Sequence, residues 1–231
     1  MGKAVLITGS TRGIGFETAA RFLNAGCRVA VFCRHRDHAD RAARLLSSCA
    51  RPENILALAG DVRVEKDVKA VVSRCLKHFG GIDVLVNNAG VLVYRPVEKT
   101  AEKQWDEVID TNLKGTFLFL KHTLPVMRKQ AAGTIINISS AMGEAGEADF
   151  SAYCASKSGV IGLTQSVAEE VAADGIKVYA VLPWAVDTTL GKRAGLELSP
   201  SEMLAPQYVA EKIFQAAKGS KKTGHLFRVY K

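Results

Sequence analysis

Tyr153 and Lys157, four residues apart, are the pair of side chains in this sequence best suited to proton chemistry. On a helix, residues at positions i and i+4 lie on one face, so the ammonium group would lie beside the phenol. A free phenol has a pKa of about 10, and a positive neighbour favours the phenolate. The spacing predicts a tyrosine with a lowered pKa that exchanges protons near neutral pH. Taken alone, such a pair is also typical of a solvated helix face.

A glycine-rich turn near the N-terminus is the second chemical feature. It follows a short apolar run and precedes a segment of helical periodicity. Glycines let a polyanion approach the main chain closely, and the free N–H groups at the start of a helix attract phosphate. The turn therefore predicts a nucleotide cofactor rather than a purely structural loop. The residues that it offers are Gly9, Ser10, Arg12, Gly13, Ile14 and Gly15.

The residues after the second apolar run indicate which nucleotide binds. Enzymes that prefer NAD usually carry an acid at this position, which binds the ribose 2′-hydroxyl. This chain has Arg34 there, and Arg12 lies in the glycine turn. A guanidinium group pairs with a phosphate in a fork geometry. The sequence predicts NADP(H) as the cofactor; the alternative is that both arginines lie only at the rim of the site.

Apolar runs of strand length alternate with helical patterns along the chain. We expect strands at 4–8, 28–33, 55–59, 84–87, 134–139, 177–182 and 225–229. Helical patterns cover about 14–25, 37–48, 65–79, 101–129, 151–173 and 207–218. Strands that are apolar throughout, separated by helices, predict a parallel sheet covered on both faces. Right-handed crossovers make this a doubly wound α/β fold of the Rossmann type.

Two segments depart from this regular alternation. Pro125 falls inside the pattern at 101–129, where a proline kinks a helix or marks a join. Residues 187–201 have no clear period, and we expect them to form a mobile flap over a pocket. No linker or repeat interrupts the sequence, so we expect one domain over residues 1–231.

The composition limits the class of protein. The chain has 231 residues, 48% of them hydrophobic, and a net charge of +8, which suits a globular protein with a full core. Basic residues are spread among acidic ones, which argues against a nucleic-acid binder. Five dispersed cysteines in no metal-ligand spacing predict reduced thiols, no metal site and a cytoplasmic location. No signal peptide or membrane-spanning run is expected.

Together these motifs resemble the short-chain dehydrogenase/reductase family, and most closely its 3-oxoacyl-[acyl-carrier-protein] reductases. Further matches follow in order along nearly the whole chain: Asp61 and Val62, then Asn88, Ala89 and Gly90, then Asn112, and then Ser140, thirteen residues before Tyr153. The resemblance implies an oxidoreductase that interconverts a carbonyl and an alcohol by hydride transfer. It also implies a homotetramer or a homodimer.

The resemblance further implies a role for each matching residue. Ser140 would hydrogen-bond the substrate carbonyl and Tyr153 would protonate its oxygen. Lys157 would lower the tyrosine pKa and bind the nicotinamide ribose. Asn112 would hold a water that links Lys157 to solvent. The remaining cofactor contacts would come from Asp61 and Val62 at the adenine, and from Asn88, Ala89, Gly90, Pro183, Val186 and Thr188.

Two departures from the family pattern leave the substrate open. Trp184 replaces a glycine that is common in the family, and it would either line the pocket or pack beneath the flap. Docking of an acidic carrier protein needs cations, which those reductases place at the positions of Ala131 and Asp174. Arg128 and Lys129 lie nearby and could compensate. The open interpretations are a reductase of small ketones, an acyl-carrier-protein reductase and a non-catalytic dinucleotide-binding regulator; the complete set of family catalytic residues argues against the third.

Overall fold

A seven-stranded sheet forms the centre of the protein in a computed structural model, which describes residues 2–192, 194–195, 198–199 and 201–231. All neighbouring strands are parallel, in the order β3-β2-β1-β4-β5-β6-β7. The predicted doubly wound α/β fold is confirmed. The strands are β1 (Ala4–Thr8), β2 (Arg28–Cys33), β3 (Ile55–Ala59), β4 (Val84–Asn87), β5 (Gly133–Ile138), β6 (Ile176–Pro183) and β7 (Leu226–Val229).

Helices cover both faces of this sheet. They are α1 (Gly13–Asn24), α2 (Arg36–Leu46), α3 (Glu65–Phe79), α4 (Glu102–Ile109), α5 (Gly115–Gln130), α6 (Ser151–Glu170), α7 (Thr189–Lys192) and α8 (Pro206–Ala216). Side chains alternate between the two faces of a strand. Leu6 and Leu85 therefore pack against α3, α5 and α6, whereas Val5 and Val86 pack against α1 and α8.

The long helical pattern at 101–129 is divided, but not at the proline. A π-helical turn, Asp110–Lys114, separates α4 from α5. Pro125 lies inside α5, which continues to Gln130. The proline removes the usual donor to the Lys121 carbonyl, and both residues are exposed to water, which can satisfy that group. The expected join therefore lies at the π turn instead.

The segment expected to form a flap is only partly described. Thr189–Lys192 form a single helical turn, and Val186 pairs with Leu204 in an isolated β-bridge. Residues 193, 196, 197 and 200 lie outside the described residues, so the mobility of the flap stays a prediction. None of the described helices is long and apolar enough to span a membrane.

The strand order places the expected functional residues together. The chain leaves β1 to form β2 and β3 on one side, and β4 to β7 lie on the other. Loops that leave the carboxyl ends of β1 and β4 therefore diverge, and in such sheets ligands bind in the resulting crevice. The predicted site residues follow β1 to β6 at this same edge.

Candidate active site

Hydrogen bonds from side chains shape the turn between β1 and α1. Asn88 Nδ2 donates to the carbonyl oxygens of Thr8 and Gly9, at 2.9 and 3.0 Å. The buried Ser10 hydroxyl accepts the Phe32 N–H at 2.9 Å. Two residues expected to contact the cofactor, Ser10 and Asn88, thus use their side chains to hold the turn itself.

The first turn of α1 is open to an anion. Within the described chain, Arg12 at the N-cap makes no side-chain cap and the first turn carries no acid. Gly9 and Gly13 have φ of +64° and +53°, which other residues adopt at a cost. A Cβ added to Gly15 would lie 2.4 Å from the Gly9 carbonyl oxygen. Uncapped N–H groups at the positive end of a helix suit a phosphate, so these residues fit the pyrophosphate of a nicotinamide dinucleotide.

The segment after β4 is tied to β1 and reaches α6. Thr8 Oγ1 accepts the main-chain N–H groups of Asn88 and Ala89, at 2.9 and 3.0 Å. A Cβ added to Gly90 would lie 3.6 Å from Lys157 Nζ. The predicted cofactor segment and the predicted catalytic lysine are therefore neighbours.

Asp61, the expected adenine contact, is already bound within its own loop. Its carboxylate accepts a two-pronged hydrogen bond from the Arg63 guanidinium, at 2.6 Å for the shortest contact. These hydrogen bonds lower the pKa of Asp61. Val62 packs against Gly115, where an added Cβ would lie 3.0 Å from Val62 Cβ. Sequence reasoning missed Arg63, because no spacing rule separates it from an ordinary exposed arginine.

The arginines near the end of β2 differ in what they bind. Arg36 Nε pairs with Asp40 Oδ2 at 3.0 Å. Arg12 and Arg34 are exposed, and neither forms an ion pair with an acid in the part of the chain that the structure describes. Arg34 Nε lies 3.2 Å from His35 Nε2. The guanidinium groups of Arg12 and Arg34 therefore have no carboxylate ion-pair partner among the described residues.

Ser140, Tyr153 and Lys157, the residues to which the family resemblance gives catalytic roles, line one cleft. Ser140 directly follows β5, and the other two residues lie on α6. All three are buried. The carboxyl ends of β4, β5 and β6 open into this cleft. Its lining also includes the predicted cofactor residues Ile14, Asn88, Gly90, Pro183, Val186 and Thr188.

The pKa of Tyr153 is shifted in the direction opposite to the one expected from the sequence. Burial raises it to about 12, and the Ser140 hydroxyl opposes part of that shift. Lys157 Nζ lies 5.6 Å from the centroid of the phenol ring. Desolvation of the phenolate sets the direction of this shift. The phenol carries its proton at neutral pH, which suits it to act as an acid.

Burial also shifts the pKa of Lys157. Its ammonium group donates to the Ile138 carbonyl oxygen at 2.8 Å, and desolvation lowers its pKa to about 8. The main chain beside it is fixed, because the Ser139 hydroxyl donates to the Lys157 carbonyl oxygen at 2.8 Å. Ser139 thus has a structural partner, whereas Ser140 faces the cleft. The sequence distinguished the two serines by spacing alone.

Asn112 is buried in the π turn and joins two other elements. Its Oδ1 accepts the Val91 N–H at 2.8 Å, and its Nδ2 donates to the Val91 carbonyl oxygen at 2.9 Å. Nδ2 also donates to Ser156 Oγ at 2.9 Å. Asn112 therefore positions the loop after β4 against α6. Its expected role in holding a water stays a prediction.

The substrate end of the cleft is apolar. Phe150 lies between Tyr94 and Tyr153, with ring centroids 5.0 and 6.4 Å away. Trp184 follows β6 and is exposed in the cleft. The described residues contain no group of three or more His, Cys, Asp or Glu arranged to hold a metal. We define the substrate end by Leu92, Met142, Phe150, Trp184, Leu190 and Ala194.

Several known proteins are similar to this chain in sequence and in structure. The sequence profile of the family described as short chain dehydrogenase matches residues 3–198. The 3-oxoacyl-[acyl-carrier-protein] reductase FabG of Staphylococcus aureus is 40% identical over 184 residues, which cover 79% of this chain and 74% of that one. The structure of ElxO with NADP bound has a TM-score of 0.91 and 33% identity, covering 100% and 98% of the two chains. The 3-ketoacyl-(acyl-carrier-protein) reductase from Brucella melitensis, complexed with NADH, has a TM-score of 0.91 and 29% identity, covering 99% and 97%.

Proposed function

Because the chain belongs to the short-chain dehydrogenase family and is a nicotinamide-dependent oxidoreductase, we propose that it interconverts a carbonyl and an alcohol on a free small molecule with NADP(H). The observation that carries this proposal is the cleft in which Ser140, Tyr153 and Lys157 meet beside an uncapped glycine turn. When bound, the reduced cofactor supplies the hydride. The chain's own residues supply the proton and hold the substrate carbonyl in position.

Each of the three residues has one task in this proposal. The Ser140 hydroxyl accepts the Met142 N–H at 3.2 Å, which leaves its own hydrogen to donate to the substrate carbonyl. Tyr153, which carries its proton at neutral pH, gives its phenolic proton to the carbonyl oxygen as the alcohol forms. The charge of Lys157 stabilises the phenolate that remains. Solvent then returns a proton to Tyr153, and alcohol oxidation reverses these steps.

We propose NADP(H) rather than NAD(H) as the cofactor. Arg12 and Arg34 support this preference because, in the described chain, no acid forms an ion pair with their guanidinium groups. A 2′-phosphate would bind them in charge-assisted hydrogen bonds. Among the related structures, one contains NADP and another NADH, so the preference depends on this chain's own residues.

A carrier-linked 3-oxoacyl substrate is the second candidate, favoured by the identity to FabG. The charges near the expected docking positions argue against it. Arg128 Nε pairs with Asp174 Oδ2 at 2.8 Å, so one of the two nearby cations is already paired with an acid, which leaves the exposed Lys129 as the other. Ala131 ends α5 with a positive φ and carries no charge. A free substrate is therefore the first choice.

We also propose a homodimer or homotetramer. Trp105 on α4 and Phe117 on α5 are 38% and 46% exposed, and exposed apolar side chains of this size support a contact between copies. Light scattering should give two or four times the mass of one chain. A monomer at micromolar concentration would contradict the proposal.

The cytoplasmic location remains our proposal and is supported by five cysteines that are all free.

The reductase proposal is tested by the absorbance of reduced nicotinamide. The purified protein is given NADPH or NADH with small ketones, diketones and 3-oxoacyl thioesters, the thioesters both free and linked to acyl carrier protein. We expect turnover of free carbonyl compounds with NADPH and slower turnover with NADH. Absence of turnover with every carbonyl compound would reject the proposal, and dependence on the carrier would favour the second candidate.

A further inference from the structure

Trp184 is a large aromatic side chain exposed beside the reacting groups. It directly follows β6, lines the same cleft as Ser140 and Tyr153, and is 40% exposed. Within the described chain its indole forms no pair with another aromatic ring and joins none of the buried apolar clusters. Packing inside the protein therefore does not account for this side chain. The exposed part of this side chain can therefore contact a ligand in the cleft.

The main chain on both sides of Trp184 is fixed. Its N–H donates to the Val229 carbonyl oxygen at 3.0 Å, and Pro183 pairs with Val229 in the ladder between β6 and β7. On the other side, the Leu204 N–H donates to the Ala185 carbonyl oxygen at 2.8 Å. The main chain that carries the indole is therefore held in place by hydrogen bonds to β7 and to Leu204.

The part of the cleft lining that the structure describes has almost no charge. Lys157 is the single charged side chain among the described residues that line it, and its ammonium group is bound to the Ile138 carbonyl oxygen. Two charged residues that adjoin lining residues in the sequence, Lys192 and Asp187, form an ion pair with each other at 2.9 Å. A carboxylate or phosphate on the substrate would lose its hydration here without gaining a free cation from the described lining.

We propose, resting on the reductase function above, that Trp184 determines specificity and that the substrate is an uncharged carbonyl compound with a planar apolar group. The planar group lies against the indole while the carbonyl oxygen meets Ser140 and Tyr153. Contact between flat rings adds affinity beyond the area buried. Trp184 thus selects flat substrates over puckered ones of equal size.

Two matched pairs of ketones test this proposal. Acetophenone and cyclohexyl methyl ketone have the same number of carbon atoms but differ in planarity. Methyl 4-acetylbenzoate and 4-acetylbenzoate differ in charge. The ratio of kcat/KM within each pair is measured with NADPH for the wild type, for Trp184→Leu and for Trp105→Phe, because the second tryptophan lies outside the cleft lining. Comparing ratios between proteins cancels the intrinsic reactivity of each ketone.

We expect Trp184→Leu to lower the ratio of acetophenone to cyclohexyl methyl ketone about fivefold, and Trp105→Phe to leave it unchanged. The neutral ester should exceed the carboxylate about a hundredfold or more in the wild type, because no cation in the described lining is free. A planarity ratio that Trp184→Leu does not change, or a carboxylate used as well as its ester, would overturn the proposal while leaving the reductase function intact.

A binding measurement decides the question even if no ketone is turned over. In Trp105→Phe, Trp184 is the single tryptophan that remains, because the chain has two. Acetophenone should quench its fluorescence in a saturable way, with a dissociation constant several-fold lower than that of cyclohexyl methyl ketone. Free N-acetyltryptophanamide is the control for collisional quenching. Quenching that stays linear with concentration, as for the free indole, would overturn the proposal.

Discussion

Burial shifts the pKa values of the two predicted proton-transfer residues in opposite directions. It raises the pKa of Tyr153 to about 12 and lowers that of Lys157 to about 8. The spacing of the two residues predicted that they lie on one face of a helix. It did not predict the direction of the tyrosine shift, because that direction depends on how much water the fold excludes around the phenol.

The lowered pKa of Lys157 gives a prediction about stability. An unfolded lysine has a pKa of 10.5, whereas the folded one has a pKa of about 8. Between these values the unfolded state binds more protons, so this lysine makes the protein more stable as pH rises. We expect the free energy of unfolding of wild type minus that of Lys157→Met to increase by about 2 kcal/mol from about pH 8 to about pH 10.

Urea unfolding of both proteins at the two pH values measures this difference. The subtraction cancels the titrating groups that lie away from Lys157. An upper limit of about pH 10 keeps the contribution of Tyr153 small, because its raised pKa acts in the opposite sense only above its unfolded value of 10.0. A difference that stays constant with pH would show that Lys157 keeps an ordinary pKa in the folded protein.

Arg34 carries the prediction about cofactor choice. Removing it as Arg34→Ala should weaken NADPH binding at least about tenfold, because a charge-assisted hydrogen bond contributes about 1.5–3 kcal/mol. NADH binding should change less than about threefold. Arg36→Ala is the matched control, because that guanidinium is paired with Asp40. Fluorescence titration with both cofactors measures the effect, and an equal loss for the two would contradict the assigned role.

At the scale of secondary structure, the strands were predictable and the π turn was not. The observed strand boundaries lie within one residue of those expected, because strands buried on both faces are apolar throughout. The turn at Asp110–Lys114 lies within an unbroken helical pattern. It is specified by tertiary contacts, such as those of Asn112 with Val91, which no local periodicity reveals.

Asn112 is therefore expected to matter for stability as well as for activity. Asn112→Ala leaves both main-chain polar groups of Val91 without their partners, which should lower the free energy of unfolding by roughly 2–4 kcal/mol. Lys114→Ala is the matched control in the same turn, because its ion pair with Asp110 is exposed and contributes less than about 1 kcal/mol. Chemical unfolding compares the two variants. Equal losses would argue against the joining role of Asn112.

At the scale of the whole molecule, charge decides which partners the surface accepts. The net charge of +8 predicted a basic surface but could not show which cations are free. The pairing of Arg128 with Asp174 depends on how the end of α5 meets the loop before β6. Contacts between distant segments of this kind are what the sequence alone could not supply.

This pairing predicts that acyl carrier protein brings no advantage. The wild type should reduce a carrier-linked 3-oxoacyl thioester no faster than the free thioester. Asp174→Lys releases Arg128 and adds a cation, so it should raise kcat/KM several-fold for the carrier-linked substrate at low salt, with no change for the free one. A wild-type preference for the carrier-linked form above about tenfold would contradict this account.

The most direct test of the central claim is Tyr153→Phe, which removes one oxygen atom from the cleft. Carbonyl reduction and NADPH affinity are measured on the same preparation, by absorbance and by fluorescence. We expect kcat to fall by about 10²–10⁴, because the proton donor is lost, and the dissociation constant for NADPH to stay within about threefold. Turnover within about tenfold of the wild type would contradict the assignment of Tyr153 as the acid.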